Sequence, residues 1–184
     1  MREELKTMNL ETLRDDCAAR QKKGLHFIMA SVVIWGMILL VHLSQMPILT
    51  KNLITFCCTA PLLPLAYLLS RPLKIDFQGK DNPLTKLGLL FSVNQMLYLL
   101  IAMWIYPTVP EKMLMVLAMI FGAHLMPYSW LYKSKSYFVL SILIPLAALV
   151  VGLSCEPFVL ALMMLGVETV FSLLLYMEVR GGKG

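Results

Sequence analysis

Charge is missing from most of this chain. Asp, Glu, Lys and Arg make up 15% of the 184 residues and are crowded into a few short segments. Hydrophobic residues reach 59%, above the ~45–50% of soluble domains, which excludes an ordinary water-soluble globule. Other absences narrow the chemistry. No H-E-x-x-H, G-x-S-x-G, P-loop or dinucleotide glycine motif occurs, and no aspartate pair lies inside an apolar run. Histidine is limited to His26, His42 and His124, at depths too different for a di-iron centre. None of the four cysteines, Cys17, Cys57, Cys58 and Cys155, forms a C-x-x-C pair. They read as small buried hydrophobes, not as disulfides or metal ligands. No metal and no cofactor is called for. The net charge of +5 comes without a basic groove or basic–aromatic motif, so nucleic acid is not an expected partner.

What remains is six apolar runs: Leu25–Leu43, Leu53–Leu69, Leu87–Ile105, Met113–Leu131, Tyr137–Leu153 and Phe158–Met177. At ~1.5 Å rise per residue each crosses roughly 26 to 30 Å as a helix, the thickness of a hydrocarbon core. No run shows the alternating pattern of a transmembrane barrel. The expected fold is all-α, a polytopic transmembrane bundle of six helices. Residues 1–24 form a cytoplasmic amphipathic segment, in which Leu10, Leu13 and Cys17 follow helical spacing after Leu5 and Met8, and residues 178–184 form a tail. The first run is too long for a signal-peptide core and lacks a small-residue cleavage site, so it stays in the mature protein. Fourteen Lys and Arg flank one end of the spans and only Lys51 and Lys112 the other. That bias puts both termini in the cytoplasm. All connections are short, the longest carrying the turn-forming run Gln78–Pro83, so any site lies between helices or at the rim.

Four strong polar groups then fall at one depth. Glu168 is central in the sixth span, Asn94 and Gln95 are central in the third, and His124 is near the middle of the fourth. Helical spacing extends them to Tyr98, Tyr128 and Ser172. Polar stripes at this depth are expected to face inward, because lipid leaves their hydrogen bonds unmade. The candidate ligand-binding set is therefore Glu168, His124, Asn94, Gln95, Tyr98, Tyr128 and Ser172, with structural hydrogen bonding between helices as the competing account. Pro61, Pro64, Pro127 and Pro145 are expected to kink their helices near this level. Ala60–Leu68 aligns with Ala123–Leu131 as a faint repeat. Trp104, Trp130, Tyr106, Tyr132, Tyr137 and Tyr176 read as an interfacial belt, Trp35 as an interior ring, and His42 as an aqueous-exposed histidine at the outer end.

The segment Phe121–Ser134, together with Asn82–Gly88 and Asn94–Tyr98, resembles an uncharacterised family of small bacterial membrane proteins. The resemblance implies no activity. In size and span count the chain is similar to the substrate-binding membrane subunits of energy-coupling-factor vitamin transporters, but Met29–Gly36 lacks their A-x-x-x-A pattern. The reading drawn from these residues is binding or transport of a small solute or ion at a midplane site. The alternatives are a membrane-embedded enzyme acting on a lipid or isoprenoid, with His124 and Glu168 as acid–base pair, and a non-catalytic partner subunit. The bilayer is the expected partner, with a homo-oligomer or partner subunit beside it.

Overall fold

The computed structural model of the protein describes residues 9–76 and 82–181. Leu5 and Met8 of the expected first helix, most of the Gln78–Pro83 turn and the last three tail residues lie outside the described residues. Among the described residues all regular structure is helical. Six segments are long and apolar enough to cross a membrane: Lys22–Leu43, Ile48–Ser70, Leu84–Thr108, Pro110–Leu131, Lys135–Ser154 and Pro157–Gly181. These are spans one to six, and each contains one of the expected runs. By length and composition this is a helical membrane protein.

The helices are α1 (Leu10–Arg20), α2 (Leu25–Leu43), α3 (Ile48–Thr59), α4 (Leu62–Ser70), α5 (Leu84–Thr108), α6 (Met113–His124), α7 (Met126–Leu131), α8 (Lys135–Ser154) and α9 (Pro157–Gly181). Spans two and four are therefore broken at depth, between α3 and α4 and between α6 and α7. The cause is local. Pro61, which stands in the first break, has no N–H for the Cys57 carbonyl, Pro64 none for Ala60 and Pro127 none for Ala123, and their rings crowd the preceding turn. Pro145 lies inside the uninterrupted α8 and does not divide it. The two breaks fall within the two aligned stretches.

Span one packs along span six on one side and α4 on the other, while span four packs along span five and, more lightly, span three. Gly122 allows the close approach of spans four and five, since a Cβ there would lie 2.6 Å from Ile144 Cγ2 and Pro145 Cδ. The proline ring cannot swing aside. Gly122→Val is expected to cost about 1–3 kcal/mol by overpacking, read as a lower unfolding temperature in detergent. Span three is the outlier, burying only Gly88 and Ala102.

At the rim, α1 docks on the connections between spans. Arg14 donates to the Trp130 carbonyl at 3.0 and 2.6 Å and stacks over the Trp130 ring at 4.4 Å. Lys133 pairs with Asp15 at 2.6 Å and Glu11 at 3.1 Å. Those bonds hold the Lys133 ammonium up, through Asp15 first and Glu11 next, while Lys133 and then Arg14 hold the Glu11 carboxyl down. Asn82 donates to Leu13 O at 2.8 Å and Asp16 at 3.0 Å, fastening the start of α5 to α1. At the same end Lys22 Nζ bonds Leu73 O, and Lys23 Nζ pairs with Glu178 at 2.7 Å.

The cysteines differ from the expected uniform burial. Only Cys17 is buried; Cys57 and Cys155 are exposed and Cys58 is half-buried, because spans two and five turn most of their surface outward. Burial, and then the Asp16 charge, pushes the Cys17 thiol up to about 11. Its folded value lies above its unfolded one, so the thiol stays neutral well past pH 8 and becomes a thiolate only as pH rises toward 11. At pH 8 it presents about 100-fold less thiolate than an ordinary cysteine. Maleimide at that pH is expected to label Cys155 rapidly and Cys17 only after unfolding, as read by peptide mass spectrometry.

Candidate functional site

Glu168 is fully buried on α9. The turn of α9 that carries it also buries Met164, Phe171 and Leu175, so the carboxyl is held on the face that packs against span one. Its Oε2 lies 2.5 Å from Ser31 Oγ on α2. Ser31 is 2.7 Å from the Ile28 carbonyl. Ser31 has one hydroxyl hydrogen, within reach of both the Glu168 carboxyl and the Ile28 carbonyl. The other carboxyl oxygen, Oε1, and Ser172 Oγ one turn further on are both buried without a hydrogen-bond partner among the described residues. Orphaned buried oxygens cost about 1–3 kcal/mol each, and here they come as neighbours at i and i+4.

His124 sits at the break in span four. A carbonyl only accepts, so the 2.5 Å contact between its Nδ1 and Phe121 O places the proton on Nδ1 and leaves Nε2 as the other nitrogen. Its ring lies edge-on to Phe121 and Tyr128. The Tyr128 hydroxyl reaches Gly88 O at 3.0 Å and Ser92 Oγ at 2.7 Å on span three. His124 and Tyr128 are thus together, as are Glu168 and Ser172. No hydrogen bond or ion pair joins the two pairs among the described residues. The span-three residues differ from the expected inward stripe: Asn94 and Tyr98 are exposed and Gln95 is half-buried. Span three meets its neighbours through the Gly88 and Ala102 face, which turns the Asn94 side away.

Several functional neighbours escaped the sequence. Ser31 reads as one more small residue in an apolar run; its only signal is a hydroxyl at about the depth of Glu168. Tyr132 and Tyr137, expected in the belt, are buried. Tyr132 donates to Gln21 at 2.6 Å and Tyr137 to the Lys23 carbonyl at 3.0 Å. Both hydroxyls are satisfied by the turn entering span one, which draws the rings inward. Tyr137 also packs edge-on against Phe171, three residues from Glu168, with centroids 4.8 Å apart. His42, expected in water, is buried, with Nε2 3.2 Å from Thr55 Oγ1, because α3 folds back over the outer end of α2. Trp35 is buried, as an interior ring.

A family profile covers residues 10–178 of the chain, from the first turn of α1 to the last turns of α9. The chain belongs to DUF7010, a family of unknown function. No curated protein and no solved structure matches it. The DUF7010 match takes in Ser31, His124, Glu168 and Ser172 alike. Among the described residues no group of three or more His, Cys, Asp or Glu is placed to hold a metal ion.

Proposed function

We propose that this protein binds, and carries across the membrane, a small monovalent cation in exchange for a proton at Glu168. The observation that carries the reading is the carboxyl itself, wholly buried with one oxygen on Ser31 and the other without a hydrogen-bond partner among the described residues. In a low-dielectric interior one carboxylate is neutralised by one positive charge, supplied by a proton or by a monovalent cation. Glu168 and Ser31 offer hard oxygen donors of the kind an alkali or ammonium ion takes, and Ser172, one turn along the same helix, carries a third. The absence of a bond between His124 and Glu168 favours this over an acid–base pair. His124 and Tyr128, at the break in span four, serve as a second polar station in the pathway, and broken helices at such depths expose backbone carbonyls to a bound ion.

The experiment is proton release. Purified protein in weakly buffered detergent receives lithium, sodium, potassium, ammonium or methylammonium chloride, and a pH indicator reads the response. One proton per chain is expected with at least one of these ions, and none from Glu168→Gln. Silence with all five, or equal release from the variant, rejects the reading.

We also place both termini in the cytoplasm of a bacterial inner membrane, on the strength of the fourteen-to-two distribution of basic residues. Cys155, exposed in the turn between α8 and α9, is then on the outer face. Whole cells treated with a membrane-impermeant maleimide are expected to label it without lysis.

A further inference from the structure

We propose that span three is the interface between two copies of this chain, related by a two-fold axis along the membrane normal. Asn94 is an uncharged amide near the middle of a membrane-crossing helix, exposed and without a hydrogen-bond partner among the described residues. Facing lipid, its donors and acceptor stay unmade at a cost that membrane helices avoid. Along α5 it belongs to the line Leu90, Asn94, Leu97, Ile101 and Trp104, spaced four, three, four and three residues apart, and every member is exposed. That spacing is the a/d seam of a left-handed coiled coil, and a single asparagine in such a seam fixes register and partner number. No other span buries so little of itself, with only Gly88 and Ala102 covered.

The same features choose the occupant. An amide is both donor and acceptor, so Asn94 is complementary to Asn94. Two copies inserted in the same direction bring these side chains to one depth with no further adjustment. The seam carries no charge, so no oppositely charged partner is needed. Tyr98, exposed, stands one turn from Asn94 and flanks the seam. This inference rests on the outward face of span three and is independent of the Glu168 reading.

The test is disulfide cross-linking in native membranes, with Cys17, Cys57, Cys58 and Cys155 replaced by alanine. Asn94→Cys and Leu97→Cys, oxidised with copper–phenanthroline, are expected to give a product of twice the chain mass. Leu146→Cys, exposed on span five, is expected to give none. Monomer at positions 94 and 97, equal yields at all three positions, or a product containing a different protein overturns the proposal. A second readout keeps the seam intact: Asn94→Leu is expected to weaken self-association about three- to tenfold by energy transfer in vesicles, with the unfolding temperature of the monomer unchanged. No weakening counts against the amide pair. Glu168→Gln is expected to leave the cross-links untouched, so failure here and failure of cation exchange are separately visible.

Discussion

Glu168→Met is expected to make the protein more stable and inactive at once. The thioether removes two buried oxygens, one of them without a partner, and replaces them with a flexible apolar chain of similar length. Ser31 keeps its bond to the Ile28 carbonyl. Replacing a buried polar group by a packed apolar one is often neutral or stabilising by about 1–4 kcal/mol. A gain of about 1–2 kcal/mol is expected, seen as a higher unfolding temperature in detergent, together with complete loss of cation-linked proton release. Glu168→Gln keeps the shape, and its amide can accept from Ser31 or donate to it. That variant should match the wild type in stability and still exchange nothing. The alternative, in which Glu168 only ties span six to span one, predicts the opposite sign: Glu168→Met would then lower stability. A residue that destabilises its own fold is retained for what it does.

The second large effect is at the entry to span one. Lys22, Lys23 and Gly24 have φ values of 45°, 52° and 71°, three successive residues in the left-handed region where side chains are penalised by roughly 1–2 kcal/mol each. The turn is held by what it touches: Lys22 on Leu73 O, Lys23 on Glu178, and Tyr137 on the Lys23 carbonyl. Glu178 also accepts from the Ser136 amide at 3.1 Å, tying spans one, five and six together at this end. A Cβ at Gly24 would lie 3.0 Å from the Tyr137 hydroxyl and 3.2 Å from the Tyr132 ring. Gly24→Val therefore adds backbone strain to a clash between rigid groups, with an expected loss of about 2–4 kcal/mol. Thermal unfolding measures it. Gly24→Ala tested with and without Tyr137→Phe isolates the nearer contact, since removing the hydroxyl relieves it and leaves the Tyr132 contact and the backbone strain. Equal stability of Gly24→Val and wild type would mean that the turn does not hold the tyrosines.

Most of the fold was legible because bilayer thickness imposes itself on the sequence. Six apolar runs could only be helices, and each observed span contains the run expected of it. The breaks in spans two and four were legible in Pro61, Pro64 and Pro127, whereas Pro145 left its helix whole. Burial of Glu168 was legible from its chemistry alone. Its company was not. Depth along a helix can be counted from residue numbers, but rotation about the axis depends on which helices are neighbours, and every face of a membrane helix is apolar. Asn94 was placed at the right depth on span three yet faces outward, and Ser31, an inconspicuous hydroxyl, supplies the bond that Glu168 makes. Tyr132 and Tyr137 misled for a related reason: tyrosine near a span end suits the interface, and only the contacts with Gln21 and Lys23 show that these two turn inward. His42 was hidden by the fold-back of α3, which brings Thr55 over it.

Cation exchange at Glu168 requires a carboxyl that is protonated when empty and ionised when occupied. Infrared difference spectroscopy of the protein in lipid vesicles at neutral pH, before and after adding the ion that releases a proton, reads this state directly. A protonated-carboxyl C=O band that is present without the ion, falls on its addition and is missing from Glu168→Gln is the predicted result. Superposable spectra from wild type and Glu168→Gln, or a Glu168 band that ignores every cation, would contradict it.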